Sequence, residues 1–165
     1  MKLSINEENK DLYLVFSLNE EMYGTQLLQV REVIEKQEAK PVPNTIDSYL
    51  GVINVRGEII GAIDLRIKFG YPIVEEVQKN SAMIVFSTSS GAIAVLTDKL
   101  EGVFQLNLVE KYQKPKIESK IPNDYIIGMY QFKDNIITVI DLFSIVDKQE
   151  IADVKIHNNE IKESI

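Results

Sequence analysis

The chain is expected to be a mainly β protein made of two small, related barrels packed against each other, with short helices added. Three features of the sequence lead there. A stretch of about fifteen residues recurs in the second half. Apolar residues alternate with period two inside each copy. Turn-forming residues break the chain into short runs, the pattern of small closed barrels.

The repeat is the strongest of these. Gly51 to Leu65 reads GVINVRGEIIGAIDL, and 77 residues later Gly128 to Leu142 reads GMYQFKDNIITVIDL. The Gly, Ile-Ile and Ile-Asp-Leu positions coincide, and Pro43-Asn44 and Pro122-Asn123 precede the copies. The earlier part of each half matches at an offset of 70: Val15-Phe16-Ser17 with Val85-Phe86-Ser87, Val30 with Leu100, and Val33 with Val103. About seven extra residues therefore fall within 105–127 of the second half. The whole chain reads as one domain, with a first unit over about 11–70, a second over about 80–147 and a tail over 148–165. Two marginal cores gain stability by sharing an interface.

Each element has a local reason. Leu12, Leu14, Phe16 and Leu18 alternate with Tyr13, Val15 and Ser17, which is strand periodicity, and Asn19-Glu20-Glu21 offers a turn before Met22 to Val33. Arg56-Gly57-Glu58-Ile59 reads as a hairpin with Gly at the first loop position, as a type II′ turn requires. Its counterpart is Lys133-Asp134-Asn135-Ile136, where Asp and Asn tolerate positive φ. Asp64 is placed to cap a short helix over Leu65 to Phe69 that Gly70 ends, and Asp141 to cap one over Leu142 to Val146. Ile151, Val154, Ile161 and Ile165 fall near one face of a C-terminal helix.

Composition excludes several classes. Of 165 residues, 45% are hydrophobic and 26% charged, which is ordinary for a folded domain. A net charge of −7 disfavours nucleic acid or an anionic membrane as main partner. There is no cysteine, hence no disulfide framework. The start of the chain lacks the apolar region of a secretory signal, and no run approaches the length of a membrane span. A cytoplasmic protein is expected. His157 is the only histidine, so a histidine-based metal site or triad is not expected.

Three places carry candidate chemistry. Alternation in Val52 to Arg56 puts Ile53 and Val55 inside, and Val52, Asn54 and Arg56 outside; Tyr130 and Phe132 are the inner residues of the second copy, Gln131 and Lys133 the outer. The outer residues form either a solvated face or a recognition strand, since Arg is frequent at binding hot spots. Glu32 shares a face with Val30, opposite Val33, and reads either as an exposed strand carboxylate or as a charged rim beside an apolar contact at Val30. Asp64 and Asp141 invite comparison with a proton-sharing dyad. Each is followed by Leu, though, where such a dyad needs a hydroxyl and a Gly, and helix capping is the expected role.

Gly51-Val52-Ile53-Asn54-Val55-Arg56-Gly57, followed by Ile63-Asp64-Leu65-Arg66 and Phe69-Gly70, resembles the signature of CheW-like domains. So do Val15-Phe16-Ser17-Leu18, Tyr23-Gly24 and Val30-Arg31-Glu32-Val33, and the resemblance runs over about 11–147. The chain departs from the family at Gly61-Ala62, where Pro-Val is usual. The resemblance implies two SH3-like five-stranded barrels and an adaptor without enzymatic activity or cofactor. It implies two partners, the cytoplasmic tip of methyl-accepting chemoreceptors and the regulatory domain of the histidine kinase CheA. It implies a cytoplasmic protein recruited to membrane-associated receptor arrays. It also implies that Val30, Glu32, Gly51, Asn54, Arg56 and Gly57 lie at or near a receptor-binding groove between the barrels. The kinase contact is expected at an apolar barrel end, with no residue assigned. Within the same family, a CheV-type coupling protein or a piece of a CheA regulatory domain is the alternative. The first needs a receiver domain and the second a catalytic domain, and only about 18 residues follow Asp147.

Overall fold

The structure, a computed structural model, describes residues 11–73, 79–106, 111–112 and 121–146. The strands are β1 (Leu12–Leu18), β2 (Glu21–Gln26), β3 (Val30–Glu35), β4 (Tyr49–Val55), β5 (Glu58–Asp64), β6 (Ala82–Thr88), β7 (Gly91–Thr97), β8 (Lys99–Gln105), β9 (Lys111–Tyr112), β10 (Ile126–Phe132) and β11 (Asn135–Ile140). Two one-turn helices, α1 (Leu65–Lys68) and α2 (Leu142–Ile145), follow β5 and β11. The expected C-terminal helix, and His157 with it, lie outside the described residues.

The strands form two sheets, ordered β8-β1-β2-β11-β10-β9 and β3-β6-β7-β5-β4. In terms of the repeat, β1 corresponds to β6, β2 to β7, β3 to β8, β4 to β10 and β5 to β11. Both sheets therefore have the same order, third-first-second-fifth-fourth. The short β9, from the stretch that is longer in the second half, extends one of them. Each sheet takes its inner hairpin from the other half of the chain. Hairpin β1–β2 sits between β8 and β11, and hairpin β6–β7 sits between β3 and β5. The joints are the parallel pairs β2–β11 and β5–β7. Residues 11–70 and 80–147 are thus copies in sequence, while the sheets divide along the exchanged hairpins.

Burial follows from this exchange. Tyr13 and Val15 pack with Ile137, Val139 and Leu106 inside one sheet's curl. Met83, Val85, Ala94 and Leu96 pack with Ile53, Val55 and Ile60 inside the other. The alternate residues of the same strands, among them Leu14, Phe16, Ile84, Phe86, Ile93 and Val95, form a third core between the sheets. Period-two alternation in β1, β6 and β7 therefore sorts side chains between two apolar interiors, which is why these runs are mostly apolar on both faces.

The two equivalent turns share a left-handed first residue but are not identical. Arg56 (φ +54) and Gly57 (φ +86) are the two loop residues between Val55 and Glu58. With positive φ at both, this is a type I′ turn, and Gly57 is the second loop residue. The expected type II′ turn does not form, because β4 ends at Val55 and puts Arg56 at the first loop position. In the equivalent turn the left-handed residue is Lys133 (φ +55), again at the first loop position. Both helices are capped as expected. Asp64 Oδ1 accepts from the Arg66 N–H at 2.8 Å, and Asp141 Oδ1 from the Phe143 N–H at 3.1 Å.

Candidate functional site

The site starts with one extra residue in β3. Val30 pairs with Phe86 and Glu32 with Val85, so Arg31 is a bulge. Facing residues in an antiparallel pair point the same way. Val30 therefore joins Phe86 in the core between the sheets, with Val33 on its side. Glu32 turns the other way, with Ile34, toward the interior of the second sheet. The expectation that Val30 and Glu32 share a face opposite Val33 is overturned by this bulge. Val30 itself is buried, at 5% exposure.

Glu32 ends up buried, its side chain only 5% exposed. It is answered by Arg56, whose Nη2 lies 3.2 Å from Glu32 Oε2 while its own side chain remains 63% exposed. The contact is an ion pair by distance; Oε2 accepts no well-aligned hydrogen bond. The bulged Arg31 points out to Glu58 across the same rim, 2.7 Å away, and this contact raises the arginine's pKa. Arg31 and Glu58 are both well exposed, so their pair stabilises the fold by at most about 1 kcal/mol. The buried end of the other pair matters more, since an unanswered carboxylate in an apolar setting is costly.

Two further residues of the group shape the backbone here. Asn54 is exposed, and its Oδ1 accepts from the Gly57 N–H at 2.8 Å, which closes the turn that presents Arg56. Gly51 (φ +130) lies where the Lys40 segment crosses β4; Lys40 and Val52 exchange backbone hydrogen bonds of 2.8 and 3.0 Å. A Cβ on Gly51 would stand 2.0 Å from the Lys40 carbonyl oxygen, so only glycine fits. The structure thus gathers Glu32, Asn54, Arg56 and Gly57 at one rim. Gly51 lies further along β4, and Val30 on the opposite face of β3.

Further along β3, past Glu32, lies an open groove of about 880 Å³ that none of the four rim residues lines. One wall is β3, with Val33, Ile34 and Lys36 after it; the others bring Ala82, Leu100, Lys79 and Lys99. It therefore runs between the edge strands of the two sheets, β3 and β8. Its lining is mixed, with Val33, Ile34, Ala82 and Leu100 beside Glu35, Asn80, Ser81 and three lysines.

A second ionic cluster was not singled out from the sequence. Arg66, on α1, is 3% exposed. Its Nε and Nη2 donate to Asp64 Oδ1 (3.0 Å) and Oδ2 (2.8 Å), and its Nη1 to Asp98 Oδ1 (3.2 Å). Asp98 Oδ2 accepts from the Asn19 N–H at 2.7 Å. The hydrogen bond with Asp64 raises the Arg66 pKa. The signal available in sequence was the Asp-x-Arg spacing, which permits a bidentate pair. Asp141 is held separately, by Phe143, Ser144 (2.8 Å) and Gln29 (3.3 Å). Asp64 ends a strand of one sheet and Asp141 follows a strand of the other, each with its own donors. Among the described residues no group of three or more His, Cys, Asp or Glu is arranged to hold a metal ion, and no helix is long and apolar enough to cross a membrane.

Comparison with known proteins is consistent in one direction. The CheW-like domain matches residues 12–150. A chemotaxis protein CheW from Klebsiella aerogenes is 26% identical over 140 residues, covering 85% of this chain and 84% of that one. One from Thermotoga maritima is 29% identical over 140 residues, covering 82% and 87%. The crystal structure of the scaffolding protein TtCheW from Thermoanaerobacter tengcongensis superimposes with a TM-score of 0.74 at 26% identity, covering 86% of this chain and 95% of that one.

Proposed function

The chain belongs to the family of CheW-like domains, and from that premise we propose that it is a non-catalytic chemotaxis adaptor that binds the cytoplasmic tip of methyl-accepting chemoreceptors and the regulatory domain of the kinase CheA. It is a single functional domain, with units over about 11–70 and 80–147 and a tail over 148–165. It works in the cytoplasm and reaches the membrane only through the receptors it binds.

The observation that carries the receptor half of this reading is the unequal exposure of Arg56 and Glu32. A carboxylate 5% exposed holds one edge of a guanidinium that is still 63% exposed. The arginine is oriented from inside and keeps donors free for a partner, which suits a planar, five-donor group at a hot spot. The groove between β3 and β8 begins one residue past Glu32 on the same strand, so a partner held at Arg56 has a concave surface to continue into. Val30, Gly51 and Gly57 serve the same site through the backbone and core rather than by contact.

The test is reconstitution. Receptor cytoplasmic fragments, CheA and this protein are co-sedimented and kinase autophosphorylation is measured. The adaptor reading expects a rise only when all three are present, and loss of the rise with Arg56→Ala. A protein that sediments with neither partner would leave the family fold without this function.

A further inference from the structure

We propose that this chain forms a dimer with a second copy of itself by exchanging the β1–β2 hairpin between subunits. The geometry for that exchange is already present within one chain. All the pairing of the hairpin with other strands is to β8 and β11, more than 70 residues away in sequence, and none is to its own half. The 3₁₀ turn Leu27–Gln29 links it to β3 of the other sheet.

The two crossings between sheets are fastened differently. From β7 to β8 the chain passes through Asp98, which is 5% exposed and tied to Arg66 and to the Asn19 N–H. From β2 to β3 the chain passes through Leu27–Gln29, which has no side-chain cap. Gln29 is held there by two side-chain hydrogen bonds, donating to the Asp141 carboxylate at 3.3 Å and accepting from Thr25 at 3.1 Å. The first is an ion-paired lock and the second a short hinge. Short hinge loops of this kind favour exchange. With the hinge extended, the hairpin enters the equivalent slot of a second copy. There it remakes its strand pairings with β8 and β11, the Asn19–Asp98 bond included, and gives up the Thr25–Gln29 bond at the hinge.

Because the strand pairings are the same in both forms, concentration weighs heavily between them. A short tether holds a chain's own hairpin at an effective concentration on the order of millimolar. The dimer is therefore populated when unfolded chains refold at high concentration.

The test refolds the full chain from urea at concentrations from about 10 µM to about 1 mM, near the tether's effective concentration, and separates the products by size. A variant with Ser17→Cys and Lys99→Cys reports the topology. These residues face each other in β1 and β8, and the chain has no other thiol. The expected result is a dimer fraction that rises with refolding concentration, with the oxidised disulfide joining two chains in the dimer and closing within one chain in the monomer. Monomer at every concentration, or a dimer whose disulfides are all within single chains, overturns the proposal. If the double variant does not fold, the unmodified dimer is diluted instead. An exchanged dimer persists until it is warmed enough to open, while a dimer held by surface contact returns to monomer on dilution and overturns the proposal.

Discussion

Arg56 and Glu32 meet from two irregular pieces of backbone. The guanidinium leaves a left-handed turn residue and the carboxylate leaves a strand just past a bulge, and they close to 3.2 Å. Neither irregularity is useful without the other. Without the bulge, Arg31 rather than Glu32 would pair with Val85 and face the turn, and without the turn Glu32 would keep only the more distant Arg31 Nε, 3.9 Å away.

This pairing predicts the behaviour of substitutions at the rim. Arg56→Ala is expected to weaken binding to a receptor tip by ~1.5–3 kcal/mol. It should also cost about 1 kcal/mol of stability, because Glu32 loses its nearer cation and keeps only Arg31 Nε at 3.9 Å. Adding Glu32→Gln to Arg56→Ala should restore most of the stability and none of the binding. Calorimetric titration and urea melts of the four proteins in the cycle separate the two effects. Equal recovery of both would make Arg56 a structural residue only.

Gly51→Ala is expected to be among the most damaging single changes in the first half. The new methyl would collide with the Lys40 carbonyl, and the φ of +130 is unavailable to alanine. A loss of about 3 kcal/mol or more is expected, a fall in Tm on the order of 10 °C. Gly57→Ala, with nothing within 4 Å of its Cβ, should cost only about 1 kcal/mol for its positive φ. Thermal melts that rank the two the other way would contradict the placement of the Lys40 segment.

Removing Arg66 should unsettle both sheets at once. Arg66→Ala leaves Asp64 and Asp98 buried without their shared cation, at a cost of about 3–5 kcal/mol. Arg66→Lys should rescue little, since an ammonium cannot bind one carboxylate with two parallel bonds and still reach another. Urea denaturation is the measurement, and near-wild-type stability for Arg66→Lys would count against the bidentate geometry.

Alkaline pH should weaken the fold through two tyrosines. Tyr23 and Tyr71 are bonded to each other through their hydroxyls and both reach Glu21. Burial pushes Tyr71 up to about 12 and Tyr23 higher still. An unfolded tyrosine ionises near 10. Above that pH the unfolded chain has fewer bound protons than the folded one, so stability falls as pH rises. This contribution is fully present below about pH 10 and is lost progressively toward pH 12. Tyr71→Phe should flatten part of the decline in urea midpoints measured from pH 8 upward, and an unchanged slope would remove Tyr71 as a cause.

The repeat, the strands and both capping aspartates could be read from sequence because each has a local signature. The exchange of hairpins could not. With two homologous copies, a hairpin meets equivalent third and fifth strands whether it stays in its own half or crosses, so the pattern along the chain is the same in either case. The bulge at Arg31 was hidden for another reason. Period-two extrapolation from Val30 assigns Glu32 to its face, and one unpaired residue reverses the assignment. Arg66 was hidden by its charge. Arginine is almost never fully buried unless paired, and its second partner, Asp98, is 32 residues away.

The exchanged hairpins also set an order for making this protein. Strands β3 to β5 leave the ribosome before β6 and β7 exist, so the sheet they belong to lacks its centre until residue 97 has been added. At ordinary elongation rates that interval is roughly 2–7 s. During it, a newly made first half exposes the apolar faces and open edges on which nascent chains aggregate, because the native partners of β3 and β5 have not yet been made. A slow stretch of codons just after residue 64 would lengthen that exposure, and chaperone demand during synthesis should rise with it.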